Sequence, residues 1–212
     1  VVQLRLQGKG GDPVIQIQTP FGGGKTHALI AMYHRATEWG AKRVVMVGTA
    51  LSSKDTLWGL LEEQLTGKKQ VMTGLVTPGR DAIRELLEPQ GSVLILLDEM
   101  LEYVTKVAGV AVAESTLASQ TIAFLQELTE AVSTLDKVSL AITLPASLME
   151  HFDAHAEQLF QQMQRVTGRV EKVCTAVQVH EITQVIRCRL FSHVDTDSAK
   201  QEISRFIEYA HR

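Results

Sequence analysis

The stretch that most constrains this chain runs from Gln16 to Tyr33 and reads QIQTPFGGGKTHALIAMY. A run of β-type residues (Val14, Ile15, Ile17) enters a turn made of Thr19, Pro20, Phe21, Gly22, Gly23 and Gly24. Lys25 and Thr26 then open a segment rich in Ala and Leu. Strand, glycine turn, Lys-Thr and helix in this order form the layout of a phosphate-binding loop. Glycines without Cβ let the backbone take φ > 0 and approach a ligand closely. Their N–H groups can then converge as an anion-binding nest, and the opening helix adds unpaired donors and the positive end of its dipole. Lys25 would bring a full charge to the β- and γ-phosphates, and Thr26 a hydroxyl to Mg²⁺.

The standard pattern is G-x-x-x-x-G-K-[ST]. Gly24, Lys25 and Thr26 satisfy it, but its first glycine falls on Thr19. A plain strand-to-helix turn with a solvated lysine would read much the same way, so a second motif has to decide. Ser92 to Met100, SVLILLDEM, supplies it. A run this apolar fits a central strand of a parallel sheet buried on both faces. Asp98 and Glu99 then fall at its C-terminal end, where open α/β sheets bind ligands. Asp98 can hold Mg²⁺ through its water shell, since Mg²⁺ takes oxygen ligands and keeps waters. Glu99 can orient and polarise an attacking water. Without the glycine turn, a solvated acidic pair at a strand end would be an equal reading.

Two further apolar runs, Arg43 to Gly48 (RVVMVG) and Val138 to Pro145 (VSLAITLP), suit buried strands. Thr143, near the end of the second, would sit beside Asp98 if the two strands are neighbours, and could sense the γ-phosphate or the water; a strand-end threonine chosen for β-propensity is the plain alternative. Val170 to Val179 reads as a fifth strand. Helices are expected from Lys25 to about Trp39, over Thr56–Leu65, Asp81–Leu87, Thr116–Leu135 and Ala146 to about Arg165, and again over Glu181–Phe191 and Ala199–Tyr209. In the first of these, Ala28, Leu29, Met32 and Ala36 have the spacing of a buried stripe. His27 adjoins the glycine turn and is grouped with its nucleotide-contacting residues; it and His34 otherwise read as ordinary helix positions. The N-terminus alternates Val2, Leu4 and Leu6 with polar residues, a strand-like period. Leu101 to Ser115 shows no clear period and reads as a strand-like insertion or a mobile loop. His151, Asp153 and His155 have helical zinc-ligand spacing but no third ligand, so they read as a polar face.

The chain is 212 residues long with a formal charge of −3. That length allows one large domain with a real core, and the charge demands no nucleic-acid partner. Two cysteines, Cys174 and Cys188, form no metal motif, and a reducing, cytoplasmic setting is expected. No apolar run approaches ~20 residues, so no membrane span is expected. The chain opens on Val1 rather than methionine, which fits a fragment or a processed product.

Strands near 14–18, 43–48, 92–98, 138–144 and 171–178 with helices between resemble the order of an AAA+ type P-loop ATPase. TPFGGGKTH resembles its Walker A segment and VLILLDE its Walker B segment, with Glu99 in the place of the catalytic glutamate. Thr143 matches the sensor-1 position. Arg169, in TGRVEKV, lies where that family often places an arginine finger acting on a neighbouring subunit. More narrowly, TPFGGGKTHALIAMYH, VGTAL and LILLDEMLEYV resemble large prokaryotic ATPases encoded in phage-defence gene clusters, which implies a longer parent chain. The resemblance implies a three-layer α/β sandwich with a mainly parallel five-stranded sheet flanked by helices. Residues 1–192 would form the ATPase core, and 193–212 the start of a truncated helical segment. It implies ATP and Mg²⁺ as ligands, and a homo-oligomer, DNA or defence-system proteins as partners. The absence of a guanine-reading N-K-x-D string also leans towards ATP. A non-hydrolysing nucleotide switch, a DNA-directed motor and an α/β scaffold with a dead site are the competing readings. The apolar segment around Gly109 could contact substrate in a motor, or be a simple insertion.

Overall fold

A computed structural model describes residues 1–19, 24–145, 154–167 and 171–174, and the single positions 190 and 200. The chain divides into two compact units, Val1–Ala176 and Val177–Arg212. In chain order the first holds α1 (Val2–Leu6), β1 (Val14–Thr19), α2 (Lys25–Glu38), β2 (Lys42–Val47), α3 (Leu57–Thr66), α4 (Arg80–Leu87), β3 (Val93–Asp98) and α5 (Met100–Lys106). A small hairpin, β4 (Ala111–Val112) and β5 (Ser115–Thr116), follows. The last elements are α6 (Leu117–Ser133), β6 (Val138–Pro145), α7 (Ala154–Thr167) and β7 (Glu171–Cys174).

The main sheet runs β2-β3-β6-β1-β7, and every pairing in it is parallel. Parallel strands need helical crossovers, which cover both faces and require apolar side chains on each. The two faces are filled by different residues of the same strands, as the two-residue period requires. On one face Val93, Ile95 and Leu97 of β3 meet Val44, Met46, Leu140 and Ile142 under α3–α7. On the other, Leu94, Leu96, Ala141, Ile15 and Ile17 pack under α1 and α2. The α2 stripe is as expected: Leu29 and Ala36 are buried, with Ala28 and Met32 packed beside them. This is the three-layer α/β architecture with a parallel, helix-flanked sheet.

Two segments differ from the sequence expectation. Val2–Leu6 is a helix, not a strand. Val2 and Leu6, four apart, are buried together, while Leu4 is exposed. Arg5 decides the matter. Its guanidinium is buried and donates to the carbonyls of Val132 (3.2 Å), Leu135 (2.5 Å) and Val138 (3.2 Å). These lie at and just beyond the C-terminal end of α6, where carbonyls lack intrahelical partners and a cation is favoured. Leu101 to Ser115 is likewise neither strand-like nor loop throughout. It is α5 followed by the β4–β5 hairpin. Met100, Val104 and Val107 are spaced as one buried helical face, too short to stand out as a period.

The long connection between α3 and α4 is irregular yet anchored. The buried Glu62 carboxylate accepts from the backbone N–H groups of Gln70, Val71 and Met72. Trp58 Nε1 donates to the Gly74 carbonyl at 2.7 Å, and Thr77 N–H to Gln120 Oε1 at 2.9 Å. Burial pushes the Glu62 carboxyl up, but the three backbone N–H bonds outweigh it and hold its pKa below the ordinary glutamate value. The expected helices over Glu181–Phe191 and Ala199–Tyr209, and residues His151 and Asp153, lie outside the described residues. Among the described residues no helix is long and apolar enough to cross a membrane, and no cluster of metal-ligating side chains occurs.

Two outcomes follow. Replacing Arg5 with Met leaves buried carbonyls without their charged donor, and should cost about 1.5–3 kcal/mol in a urea denaturation series. Glu62 has a folded pKa below its unfolded value. Its contribution is therefore fully present above about 4.5 and lost as pH falls through the lower folded pKa. Amide protection factors at Gln70–Met72, taken against intrinsic exchange at each pH, should fall in that acid window, and Glu62→Gln should remove this pH dependence.

Candidate nucleotide site

The C-terminal ends of β1, β2, β3 and β6 share one edge of the sheet, because their parallel register brings them level. Asp98 is paired in register with Val47, and Ile17 with Thr143. The glycine turn leaves β1 at this edge. Gly24 sits at φ 79° and ψ 17°, left-handed backbone, and caps the start of α2. A side chain there would be strained, which explains a glycine at that pattern position. Lys25, partly buried, begins α2; Thr26 and His27 follow and are exposed. Thr19 ends β1 in register with Pro145. Pro20, Phe21, Gly22 and Gly23, and the expected finger Arg169, lie outside the described residues.

Asp98 is buried at the tip of β3, and Thr143 is buried beside it on β6. The Thr143 hydroxyl donates to Asp98 Oδ1 at 2.5 Å and accepts from the Glu99 N–H at 3.2 Å. Its one proton is thus committed to Asp98. In this arrangement Thr143 ties the two acids to each other rather than facing outward. Thr26 and Asp98 line the same cavity, of about 520 Å³. A hydroxyl and a carboxylate facing one space are the oxygen donors a hard divalent cation takes, so Mg²⁺ fits the residues present.

Glu99 follows Asp98 at φ 54° and ψ 36°, left-handed backbone for a non-glycine residue, and caps α5. That conformation costs about 1–2 kcal/mol. It turns the chain sharply out of β3 and sends the Glu99 carboxylate towards the end of β2. There it accepts from the Thr49 hydroxyl at 2.7 Å. The turn after β2 is itself fastened to α5. Lys106 Nζ donates to the carbonyls of Thr49 (3.3 Å) and Leu51 (2.7 Å), and the Tyr103 hydroxyl to the Asp55 carbonyl. Burial pushes the Tyr103 pKa up to about 12, so it remains a donor at neutral pH. Thr49 was not distinguishable from the rest of the polar stretch TALSSKD. The available signal was positional: it is the first hydroxyl beyond the strand that pairs with β3.

Gly48 makes this junction possible. A Cβ on it would lie 2.0 Å from the Glu99 carbonyl oxygen. The ends of β2 and β3 therefore meet backbone to backbone, and only glycine fits between them.

The helix-flanked parallel sheet, the left-handed glycine opening α2 and the buried acid ending β3 define an α/β domain with its candidate site at the C-terminal edge of the sheet. Residues 50–182 match the DUF499 N-terminal domain, and the chain belongs to that family. Among curated proteins none matches by sequence. Two solved structures are similar. One is the structure of Drosophila ORC bound to AT-rich DNA and Cdc6, with TM-score 0.43, 13% identity, and cover of 97% of this chain and 64% of that one. The other is the structure of C. elegans PCH-2, with TM-score 0.38, 16% identity, and cover of 92% and 48%. This chain therefore spans less than two thirds of the length of either.

Gly48→Ala should force the β2 and β3 ends apart, at about 1–3 kcal/mol of stability. A thermal denaturation series beside an exposed Gly109→Ala control, where an added Cβ meets nothing within 4 Å, would show whether the loss comes from the contact with Glu99.

Proposed function

We propose that this domain binds ATP with Mg²⁺ and hydrolyses it. The observation that carries the reading is the shared cavity of Thr26 and Asp98, at the point where the glycine turn enters α2 and with Glu99 bonded to the same threonine as Asp98. Lys25 and the amides of residues 19–24 would bind the β- and γ-phosphates, with His27 beside them. Thr26 and Asp98 would hold Mg²⁺, which supplies charge neutralisation between the phosphates. Thr143 keeps the Asp98 carboxylate oriented and fixes the Glu99 backbone. Glu99 would position a water for in-line attack on the γ-phosphorus, with the phosphate–leaving-oxygen bond breaking as the water oxygen bonds. The rate gain comes from positioning and from stabilising charge on the transferred group.

The Glu99 carboxylate is held by the Thr49 hydroxyl in this structure. That observation also favours a second reading, a nucleotide-dependent switch that stays slow until the turn after β2 moves. The resemblance adds two finer proposals. Arg169 would complete the site of a neighbouring copy, so that the isolated chain turns over slowly. DNA or the proteins of a phage-defence system would be the larger partners of a cytoplasmic parent protein.

ATP titration with Mg²⁺, read by binding and by ADP release, tests this. Lys25→Ala should weaken binding at least about tenfold, as expected for a lost charge-assisted phosphate contact. Glu99→Gln should keep binding and lose about 10² or more of the turnover. Thr49→Val should raise basal turnover by up to about tenfold, by releasing a charged hydrogen bond of about 1.5 kcal/mol. Unchanged nucleotide binding in Lys25→Ala would overturn the proposal, and binding without ADP release in every variant would leave the switch.

A further inference from the structure

The outer edge of β2 has the form of a place for another strand. Among the described residues β2 ends the sheet, with β3 on its inner side only. The Lys42 N–H donates inward to the Ser92 carbonyl, so the alternation of a parallel ladder turns the backbone groups of Arg43, Val45 and Val47 outward. At the middle of the three the Gln64 side chain, reaching round from α3, makes both bonds a neighbouring strand would make. Its Oε1 accepts from the Val45 N–H at 2.9 Å and its Nε2 donates to the Val45 carbonyl at 2.9 Å. One primary amide thus takes the two bonds that a sixth strand would make to Val45 with groups from two successive peptides.

The surroundings match that occupant. The cavity of about 520 Å³ lies between α2 and this edge, from Thr26 and Asp98 at one end to Tyr33 and Arg43 at the other. Roughly 13 Å of β2 flanks it, the length of about four extended residues at 3.3 Å each. Its wall is largely apolar: Ile30 is 48% exposed, and Val45 and Val47 are half-buried. Alternate side chains of a strand laid here would cover these three. At the far end the Arg43 guanidinium stacks 4.3 Å above the Tyr33 ring, and no carboxylate pairs with it among the described residues. β2 reads KRVVMV, with two cations and no acid.

We propose that the β2 edge is a docking site for an extended segment of a partner protein. The segment alternates apolar residues with polar ones and carries an acidic side chain that meets Arg43. Gln64 is the placeholder it displaces. An exposed amide pair is a weak competitor, because each such bond exchanges with water at small net cost. Main-chain bonds at Arg43, Val45 and Val47 supply the affinity, and the Ile30 wall and Arg43 supply the choice of sequence. Charge complementarity favours an acidic strand over a second β2, which would bring Lys42 and Arg43 against their own kind. The proposal does not rest on the ATPase reading, since neither nucleotide nor Glu99 takes part.

The test uses the whole chain and a blocked peptide that alternates valine with threonine and one glutamate. Binding is followed by amide NMR shifts and by affinity. Shifts should centre on Arg43–Val47. Gln64→Ala should bind about three- to tenfold more tightly, and Arg43→Glu about tenfold more weakly. The Arg43→Glu protein should instead favour the same peptide with lysine in place of glutamate. An N-methylated peptide, which cannot donate along the edge, should not bind. Equal affinity across these proteins, or shifts elsewhere, would overturn the proposal. So would concentration-dependent dimerisation of Gln64→Ala that the peptide does not reverse, which would make a second copy the occupant.

Discussion

The candidate site depends on one close approach, Gly48 against the carbonyl of Glu99. Because no side chain stands between them, the ends of β2 and β3 draw together and place the Thr49 hydroxyl on the Glu99 carboxylate. On the other side of β3, parallel pairing with β6 puts Thr143 against Asp98 and the Glu99 N–H. The two acids are therefore held from both flanks, Asp98 by one threonine and Glu99 by two. The left-handed backbone at Glu99 is tolerated because these contacts over-determine it.

The rest of the fold supports that edge from a distance. The strands alternate their apolar side chains between two cores, so the sheet is fixed on both faces and its C-terminal ends stay level. α6 packs against one face, and carbonyls at and just beyond its C-terminal end are taken up by Arg5 from near the start of the chain. Lys106 and Tyr103 bind the turn after β2 to α5, the helix that Glu99 starts. Movement of that turn would be felt at Glu99 through both Thr49 and α5.

Membership of the DUF499 N-terminal domain family assigns the chain to a group by sequence, while the chemistry proposed for it rests on the residues themselves. A hydroxyl and a buried carboxylate facing one cavity beside a left-handed glycine form an arrangement suited to a metal-bound polyphosphate. The β2 edge is a separate feature on the same cavity, where the Gln64 amide takes up the outward N–H and C=O of Val45.

The sequence by itself determined the sheet strands and the positions of Asp98, Glu99 and Gly24. Long apolar runs and a glycine before Lys-Thr are local signals, and a buried parallel strand admits little else. It also placed Thr143 at a strand end, leaving open whether its neighbour was Asp98. Only the tertiary structure decided that β3 lies between β2 and β6, since strand order is set by which crossover helices pack on which face. That order brought Thr49 to Glu99, across a separation no local pattern spans. It also turned Val2–Leu6 into a helix, because the alternation there is outweighed by Arg5, whose acceptors lie more than a hundred residues away. A short amphipathic segment takes the period of whatever it packs against, and that partner is known only once the chain has folded.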